Sequence, residues 1–158
     1  MTEERIRILQ SMPIFGGVRD DILGLILEDA VEISLKKGDY LFVEDEPGDA
    51  MYVLEQGKVA ILKLCDEIQY RLNYLSAGDC IGEMCLIDLG RRSASVLALT
   101  DGKALELTNA SLLKVYEKDL EQFALIQMNM SRELSRRLRI ANDSLHRELI
   151  KSNRIPQH

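Results

Sequence analysis

DCIGEMCLIDLGRRSASV, residues 79–96, is the most informative stretch of the chain. Gly82 precedes a segment long enough for one or two helical turns, and Arg92 follows that segment. The first amides of a helix have no partner within the helix and carry partial positive charge. A glycine before them lets an anion approach the backbone, and an arginine can bind a phosphate through two hydrogen bonds. The stretch therefore predicts a phosphate site between Gly82 and Arg92.

The same residues resemble a known cassette. Gly-Glu-Met-Cys-Leu, a short gap and then Arg-Ser-Ala-Ser-Val is similar to the phosphate-binding cassette of the cyclic nucleotide-binding domain family. The resemblance implies that Glu83 accepts a hydrogen bond from the ribose 2′-hydroxyl, and that Arg92 and Ser93 bind the cyclic phosphate. It also implies three backbone donors for the ligand, at Gly82, Met84 and Cys85. Many family members have a proline before the arginine, where this chain has Arg91.

Length and composition indicate one soluble globular domain. The chain has 158 residues, of which 29% are charged and 46% hydrophobic, and its net charge is −6. An acidic protein has no general attraction for nucleic acid, so we expect no DNA binding by this chain alone.

Three cysteines without framework spacing indicate reduced thiols. The sequence has no signal peptide and no apolar run of the ~20 residues that a membrane span needs, which predicts a cytoplasmic protein without membrane contact.

Short β-type runs with turns between them fill the middle of the chain. Gly-Asp pairs mark turns at 38–39, 48–49 and 78–79. Strands at this spacing, without long helices between them, predict a mainly β, antiparallel jelly-roll or double-stranded β-helix barrel. Asp45 stands where the family often has glycine, and aspartate tolerates the left-handed backbone of such a turn. The predicted strands are 31–36, 40–43, 50–55, 58–64, 70–75, 93–99 and 104–107.

Helices are predicted on both sides of this barrel, all within one domain. Residues 1–30 form an N-terminal helical segment, with Pro13 between two helices and an apolar plug after it. Residues 31–109 form the barrel, including the cassette at 79–96. Residues 110–155 form the C-terminal helices, and the last of these is long because no glycine or proline interrupts it before Pro156.

The long C-terminal helix carries an apolar stripe. Leu134, Leu138, Ala141 and Leu145 follow one another in steps of 4, 3 and 4, which is the seam of a two-stranded coiled coil. About 30 helical residues span ~45 Å, longer than a small barrel. We therefore expect the first half of the helix to pack on the barrel and the second half to form a parallel homodimer. The alternative is that the whole stripe packs on its own barrel.

The resemblance also places a base contact on this helix. In transcription regulators of the family, the corresponding helix supplies polar side chains to the base. Asn142 falls in that region, and its amide could bind a purine edge; a solvent-facing Asn142 is the alternative. Ala141 has no polar group to offer, so base selectivity stays open at this point.

No catalytic constellation accompanies the predicted site. The two histidines, His146 and His158, lie outside the strand region, so histidine metal ligands and a His-activated nucleophile are both missing from the barrel. We expect no enzyme activity, no cofactor and no metal.

The favoured hypothesis is a stand-alone module that binds a cyclic nucleotide, cAMP more than cGMP, and relays binding through its C-terminal helix. The alternatives are an interaction protein that kept the fold without the ligand, or the sensor fragment of a longer transcription regulator. The sequence identifies no downstream partner.

Overall fold

The computed structural model describes residues 2–83 and 90–153. Helices flank a β region on both sides, as predicted. Proline begins a short 3-10 helix between the first two helices, where its missing N–H costs no hydrogen bond, and Ile14 and Phe15 within it are buried. The helices are α1 (Thr2–Gln10), the 3-10 helix (Pro13–Phe15), α2 (Asp20–Glu28), α3 (Asn109–Lys118) and α4 (Leu120–Ser152).

In the described part of the chain, eight strands lie between α2 and α3. Seven of them match the predicted strands to within about two residues at either end, and Cys80–Ile81 was not predicted because two residues are too short to show alternation. The strands are β1 (Val31–Leu35), β2 (Tyr40–Phe42), β3 (Ala50–Gln56), β4 (Lys58–Cys65), β5 (Ile68–Ser76), β6 (Cys80–Ile81), β7 (Ser95–Ala98) and β8 (Gly102–Thr108).

The strands form two four-stranded antiparallel sheets. The order is β1-β8-β3-β6 in one sheet and β2-β7-β4-β5 in the other. The mainly β, antiparallel architecture is therefore confirmed. Within the described residues the two sheets face each other as a roll and are not joined into one closed, hydrogen-bonded barrel.

Strand β3 is buried on both faces and separates two cores. Met51 and Val53 point to the core that β3 and β8 share with the helices. Tyr52 and Leu54, one residue out of phase, point to the interior of the roll. This follows from the two-residue period of a strand, and it joins the helical layer to the roll.

Helix α4 changes surroundings along its length. Ile126 and Met130 are buried in the helical core, and Phe123 packs against it, so the first half docks as predicted. The Nδ2 atom of Asn129 also donates to the carbonyls of Ile14 (3.1 Å) and Gly16 (2.9 Å). From residue 135 to residue 153 every side chain is exposed. The second half of α4 therefore extends beyond its own chain's core.

Asp45 has φ +73°, so aspartate does occupy the left-handed turn predicted for it. Among the described helices, none combines the length and the apolar character needed to cross a membrane.

Candidate functional site

A cavity of about 670 Å³ opens between the roll and helix α4. The cassette forms one wall with Gly82, Glu83, Arg92 and Ser93, and strands β4 and β5 add Ile61, Asn73 and Leu75. The facing wall is one side of α4, made by Glu133, Arg136, Arg137, Ile140 and Ala141. The cavity thus has a charged region near the cassette and an apolar region between β4, β5 and α4.

Arg92 is a buried cation at the cassette wall, with only 5% of its surface exposed. Its Nη2 atom donates to the carbonyl of Ala50 (2.9 Å) and its Nη1 atom to that of Gly82 (3.3 Å). The guanidinium carbon lies 4.1 Å from the centre of the Phe42 ring and 5.7 Å from that of Tyr52. Among the described residues no carboxylate pairs with Arg92, and these contacts use two of its five N–H donors. The remaining donors suit an anion.

Two glycines make room for this guanidinium. A β-carbon on Gly82 would lie 2.5 Å from Nη1 of Arg92, and one on Gly48 would lie 2.5 Å from its Cζ. Gly82 also has φ +75°, a left-handed conformation that glycine adopts without strain. The sequence predicted that Gly82 lets an anion approach; the structure shows that Gly82 also admits the side chain of Arg92.

Glu83 is a buried carboxylate beside Arg92 and is 3% exposed. It forms an ion pair with Arg137 of α4, and the Cys80 thiol lies 3.8 Å from its Oε2 atom. No described residue gives its Oε1 atom a hydrogen bond of ordinary geometry. An ionised carboxylate has about four acceptor positions, so Glu83 can accept a hydrogen bond from a ligand hydroxyl in addition to its pair with Arg137.

The remaining predicted site residues fall into three groups. Ser93 lines the cavity next to Arg92, and its carbonyl accepts a 2.7 Å hydrogen bond from Lys63. Asn142 is exposed and does not line the cavity of its own chain, although its neighbour Ala141 does. Met84 and Cys85 lie outside the described residues. The structure therefore brings Gly82, Glu83, Arg92 and Ser93 together and leaves Asn142 apart.

Several cavity residues were missed by the sequence interpretation. Neither Arg137 nor Glu133 was predicted as a site residue, although both line the cavity and both are charged. Their spacing of four places them on one side of α4, which was a signal. Asn73 was assigned to a strand without a role, and the sequence carried no clear signal for it.

Burial changes the acidity of two groups around the site. It raises the pKa of Tyr52 to about 12, helped by the carboxylate of Glu106, which accepts a 3.0 Å hydrogen bond from the tyrosine hydroxyl. Burial raises the pKa of the Cys80 thiol to about 12 as well. Cys80 is therefore a neutral thiol at neutral pH and not an activated nucleophile. The described part of the chain contains no cluster of three or more His, Cys, Asp or Glu side chains that could hold a metal.

Comparison with known sequences agrees with this geometry. Residues 32–119, more than half of the chain, match the Cyclic nucleotide-binding domain family. The chain belongs to this family. The matched cyclic nucleotide-binding domain covers all eight strands except the first residue of β1, and it contains Gly82, Glu83, Arg92 and Ser93.

Relatives of this cyclic nucleotide-binding domain include bacterial regulators. The "CRP-like cAMP-activated global transcriptional regulator" of Mycobacterium tuberculosis is 29% identical over 139 residues, which are 87% of this chain and 60% of that protein. The Thermus thermophilus catabolite activator protein structure is 29% identical with a TM-score of 0.75, and the match covers 85% of this chain and 62% of that one. This chain thus spans about three fifths of the length of these regulators.

A shorter solved structure matches almost throughout. The N-terminal domain of a transcriptional regulator from Streptomyces coelicolor is 31% identical with a TM-score of 0.71. The match covers 87% of this chain and 94% of that domain. The fold described above is therefore similar to that of this N-terminal domain.

Proposed function

We propose that this chain is a regulatory module that binds a cyclic purine nucleotide. The observation that carries the proposal is Arg92, a buried guanidinium that opens on the cavity and has no carboxylate partner among the described residues. A buried charge without a counter-ion is costly. A cyclic phosphate would supply the missing negative charge, with Ser93 beside it and the amides of Gly82, Met84 and Cys85 as further donors.

Glu83 fits the sugar of the same ligand. Its Oε1 atom is paired with Arg137, and the carboxylate keeps further acceptor positions. A ribose 2′-hydroxyl would donate to this carboxylate while the phosphate contacts Arg92. The two residues then hold the ligand at its phosphate and its sugar, which leaves the base to the apolar region of the cavity.

We propose cAMP in preference to cGMP, supported by the M. tuberculosis relative, whose name describes activation by cAMP. Asn142 remains the proposed base contact of α4. Because its side chain does not line the cavity of its own chain, it would act in the cavity of a second copy. That role requires the parallel homodimer proposed for the exposed half of α4.

The proposed relay uses the ion pair between Glu83 and Arg137. It is a charged link between the cassette and the long helix, and it lies in the cavity where the sugar would bind. A ligand that changes the preference of Glu83 for Arg137 shifts the balance between arrangements of α4, as any ligand switch requires. In this proposal the nucleotide is bound and released unchanged, in the cytoplasm, and this chain alone does not bind DNA.

Calorimetry tests the proposal. Micromolar binding of cAMP to the wild type corresponds to about −8 kcal/mol, and Arg92→Ala is expected to remove about 2–5 kcal/mol of it. Arg71→Ala is a matched control, because Arg71 is also stacked on a ring, 4.3 Å from the centre of Tyr74, but lies on the exposed part of β5. Equal cAMP binding by wild type and Arg92→Ala would contradict the site.

The second candidate is an interaction protein that kept this fold but lost nucleotide binding. Strands β4 and β5 expose large apolar side chains, namely Leu64, Ile68, Tyr70, Leu72 and Tyr74. Exposed apolar clusters of this kind mark contact surfaces in many proteins. Absence of cAMP and cGMP binding by the folded wild type would favour this function over nucleotide sensing.

A third candidate is the sensor part of a longer transcription regulator. Sequencing the gene on both sides of these codons would test it.

A further inference from the structure

A second buried carboxylate, Glu133, faces the cavity from α4. Only 8% of its surface is exposed, although every side chain from residue 135 to residue 153 is exposed. Burying a carboxylate is costly unless cations and hydrogen bonds compensate it. The position of Glu133 at the border between the docked and the free half of α4 is therefore unlike that of an ordinary solvated helix residue.

Two arginines of the next helical turn compensate this charge. Arg136 donates from Nη2 to Oε1 of Glu133 (2.6 Å) and from Nε to Oε2 (3.2 Å). Arg137 donates from Nε to Oε1 of Glu133 at 3.3 Å. These hydrogen bonds raise the pKa of Arg136 above its usual value, but 61% of the Arg136 side chain is exposed, so solvent screens that pair.

Arg137 consequently lies between two buried carboxylates. Its Nε atom points to Glu133 of α4, and its Nη1 atom pairs with Glu83 of the cassette. The guanidinium is planar and its N–H donors have a fixed geometry. Fixing Nε on Glu133 therefore restricts the direction in which Nη1 points, and that direction is toward Glu83.

We propose that Glu133 is a positioning residue for nucleotide binding: it orients Arg137, which in turn holds Glu83 in place for the sugar hydroxyl. The inference rests on the function proposed above and adds to it a residue that the cassette does not contain. Arg136 neutralises Glu133 from the solvent side without reaching Glu83. The order of contacts is Glu133, Arg137, Glu83 and then the ligand.

A mutant cycle with cAMP as the probe tests this order. Glu133→Gln keeps the shape of the side chain and is expected to weaken cAMP binding about fivefold to tenfold, within the usual range of coupling between contacting residues. In an Arg137→Gln background the same substitution is expected to change cAMP affinity less than twofold. Equal weakening in both backgrounds, or none in the wild-type background, would overturn the proposal.

Two further variants distinguish the positioning of Arg137 from the mere loss of a carboxylate charge and from a loss of folding. Glu148→Gln removes a carboxylate that is paired with Lys151 at the same spacing of three but lies in the free half of α4, and it is expected to leave cAMP affinity unchanged. Glu133→Asp keeps the charge but is one methylene shorter. It is expected to weaken cAMP binding as Glu133→Gln does, which provides a second variant if the first does not fold.

One readout does not depend on nucleotide binding. In the ligand-free protein the Nε proton of Arg137 is expected to exchange slowly with water in ¹⁵N-edited spectra, and to exchange at least tenfold faster in Glu133→Gln. Fast exchange in the wild type would overturn the positioning role. Slow exchange in a wild type that binds neither cAMP nor cGMP would uphold the contact while refuting the nucleotide proposal, so the two failures are distinguishable.

Discussion

The absence of a side chain at Gly48 makes room for Arg92, since a β-carbon there would lie 2.5 Å from the guanidinium carbon. Gly48 belongs to the turn before β3, far in sequence from the cassette. The cassette arginine is thus held partly by a residue outside the motif that identifies it. This relationship gives a test of the site that leaves every proposed ligand contact chemically unchanged.

We expect Gly48→Ala to weaken cAMP binding about tenfold or more, because Arg92 must leave its two carbonyl partners and the Phe42 ring. The cost to the free energy of unfolding is expected to be about 1–3 kcal/mol, as for overpacking in a core. Calorimetry and urea denaturation measure the two effects.

Gly24→Ala is the control for this substitution. A β-carbon on Gly24, inside α2, would meet no heavy atom within 4 Å. It is expected to raise the free energy of unfolding by about 0.5–1 kcal/mol through helix propensity and to leave cAMP affinity unchanged. Wild-type affinity in Gly48→Ala would show that Arg92 can bind the ligand from another position.

Asn73 contributes a side-chain amide to the otherwise apolar region of the cavity between β4, β5 and α4. It pairs with Ile61 across β4 and β5, so the two side chains share the inner face of the roll. We expect Asn73→Ala to change the ratio of cAMP to cGMP dissociation constants about threefold to tenfold, the worth of one hydrogen bond. The two nucleotides share sugar and phosphate, so the ratio isolates the base.

The comparison variants for Asn73 are Gln69→Ala and Asn142→Ala. Gln69 lies on the same strand but does not line the cavity, and its substitution is expected to leave the ratio unchanged. A ratio that changes in Asn142→Ala and stays constant in Asn73→Ala would assign base selection to α4 of a second copy instead.

The two sides of the site differ in how far sequence could predict them. Gly82, Glu83, Arg92 and Ser93 are close together in the chain, and the local pattern of Gly82 and Arg92 together with the family resemblance predicted that they share one site. Glu133 and Arg137 reach that cavity only because Asn129 and Ile126 dock α4 on the 3-10 helix. Their spacing of four places both residues on one side of α4, but only this long-range packing determines that the side faces the cavity.

The fold shows the same division. Alternation and turn residues predicted seven strands, and the left-handed Asp45 followed from the family resemblance together with turn chemistry. The two-residue strand β6 was missed because its pairing with β3 is fixed by the partner strand. The two facing sheets agree with the predicted jelly roll, but the order of the strands within each sheet was not predicted, since it depends on distant hydrogen bonds and not on the period of any one strand.

The Cys80 thiol gives a prediction about pH. Burial raises its pKa to about 12, whereas Cys65 is exposed. In a Cys85→Ser variant at pH 8, iodoacetamide is expected to label Cys65 readily and Cys80 only after denaturation, because the thiolate is the reactive form. Labelling of Cys80 in the folded protein should rise as the pH approaches 12. Mass spectrometry measures both rates, and equal labelling at pH 8 would contradict the burial of the thiol.

The free half of α4 gives a prediction about assembly. Leu138, Leu145 and Leu149 are exposed there at helical spacing. Light scattering is expected to give twice the chain mass of 17.9 kDa for the wild type and the single mass for Leu138→Asp. Leu113→Asp, at an exposed leucine of α3, is the control and should remain dimeric. A dimeric Leu138→Asp would exclude the predicted seam.

The position of Arg137 along α4 has a mechanical consequence. About 15 residues separate it from Ser152, which at 1.5 Å per residue is ~22 Å of rigid rod. A tilt of about 10° where the rod is anchored would carry its tip through about 4 Å. In the proposed relay the helix would act as a lever, in which an adjustment the size of one hydrogen bond beside Glu83 becomes a movement large enough to separate or join two protein surfaces.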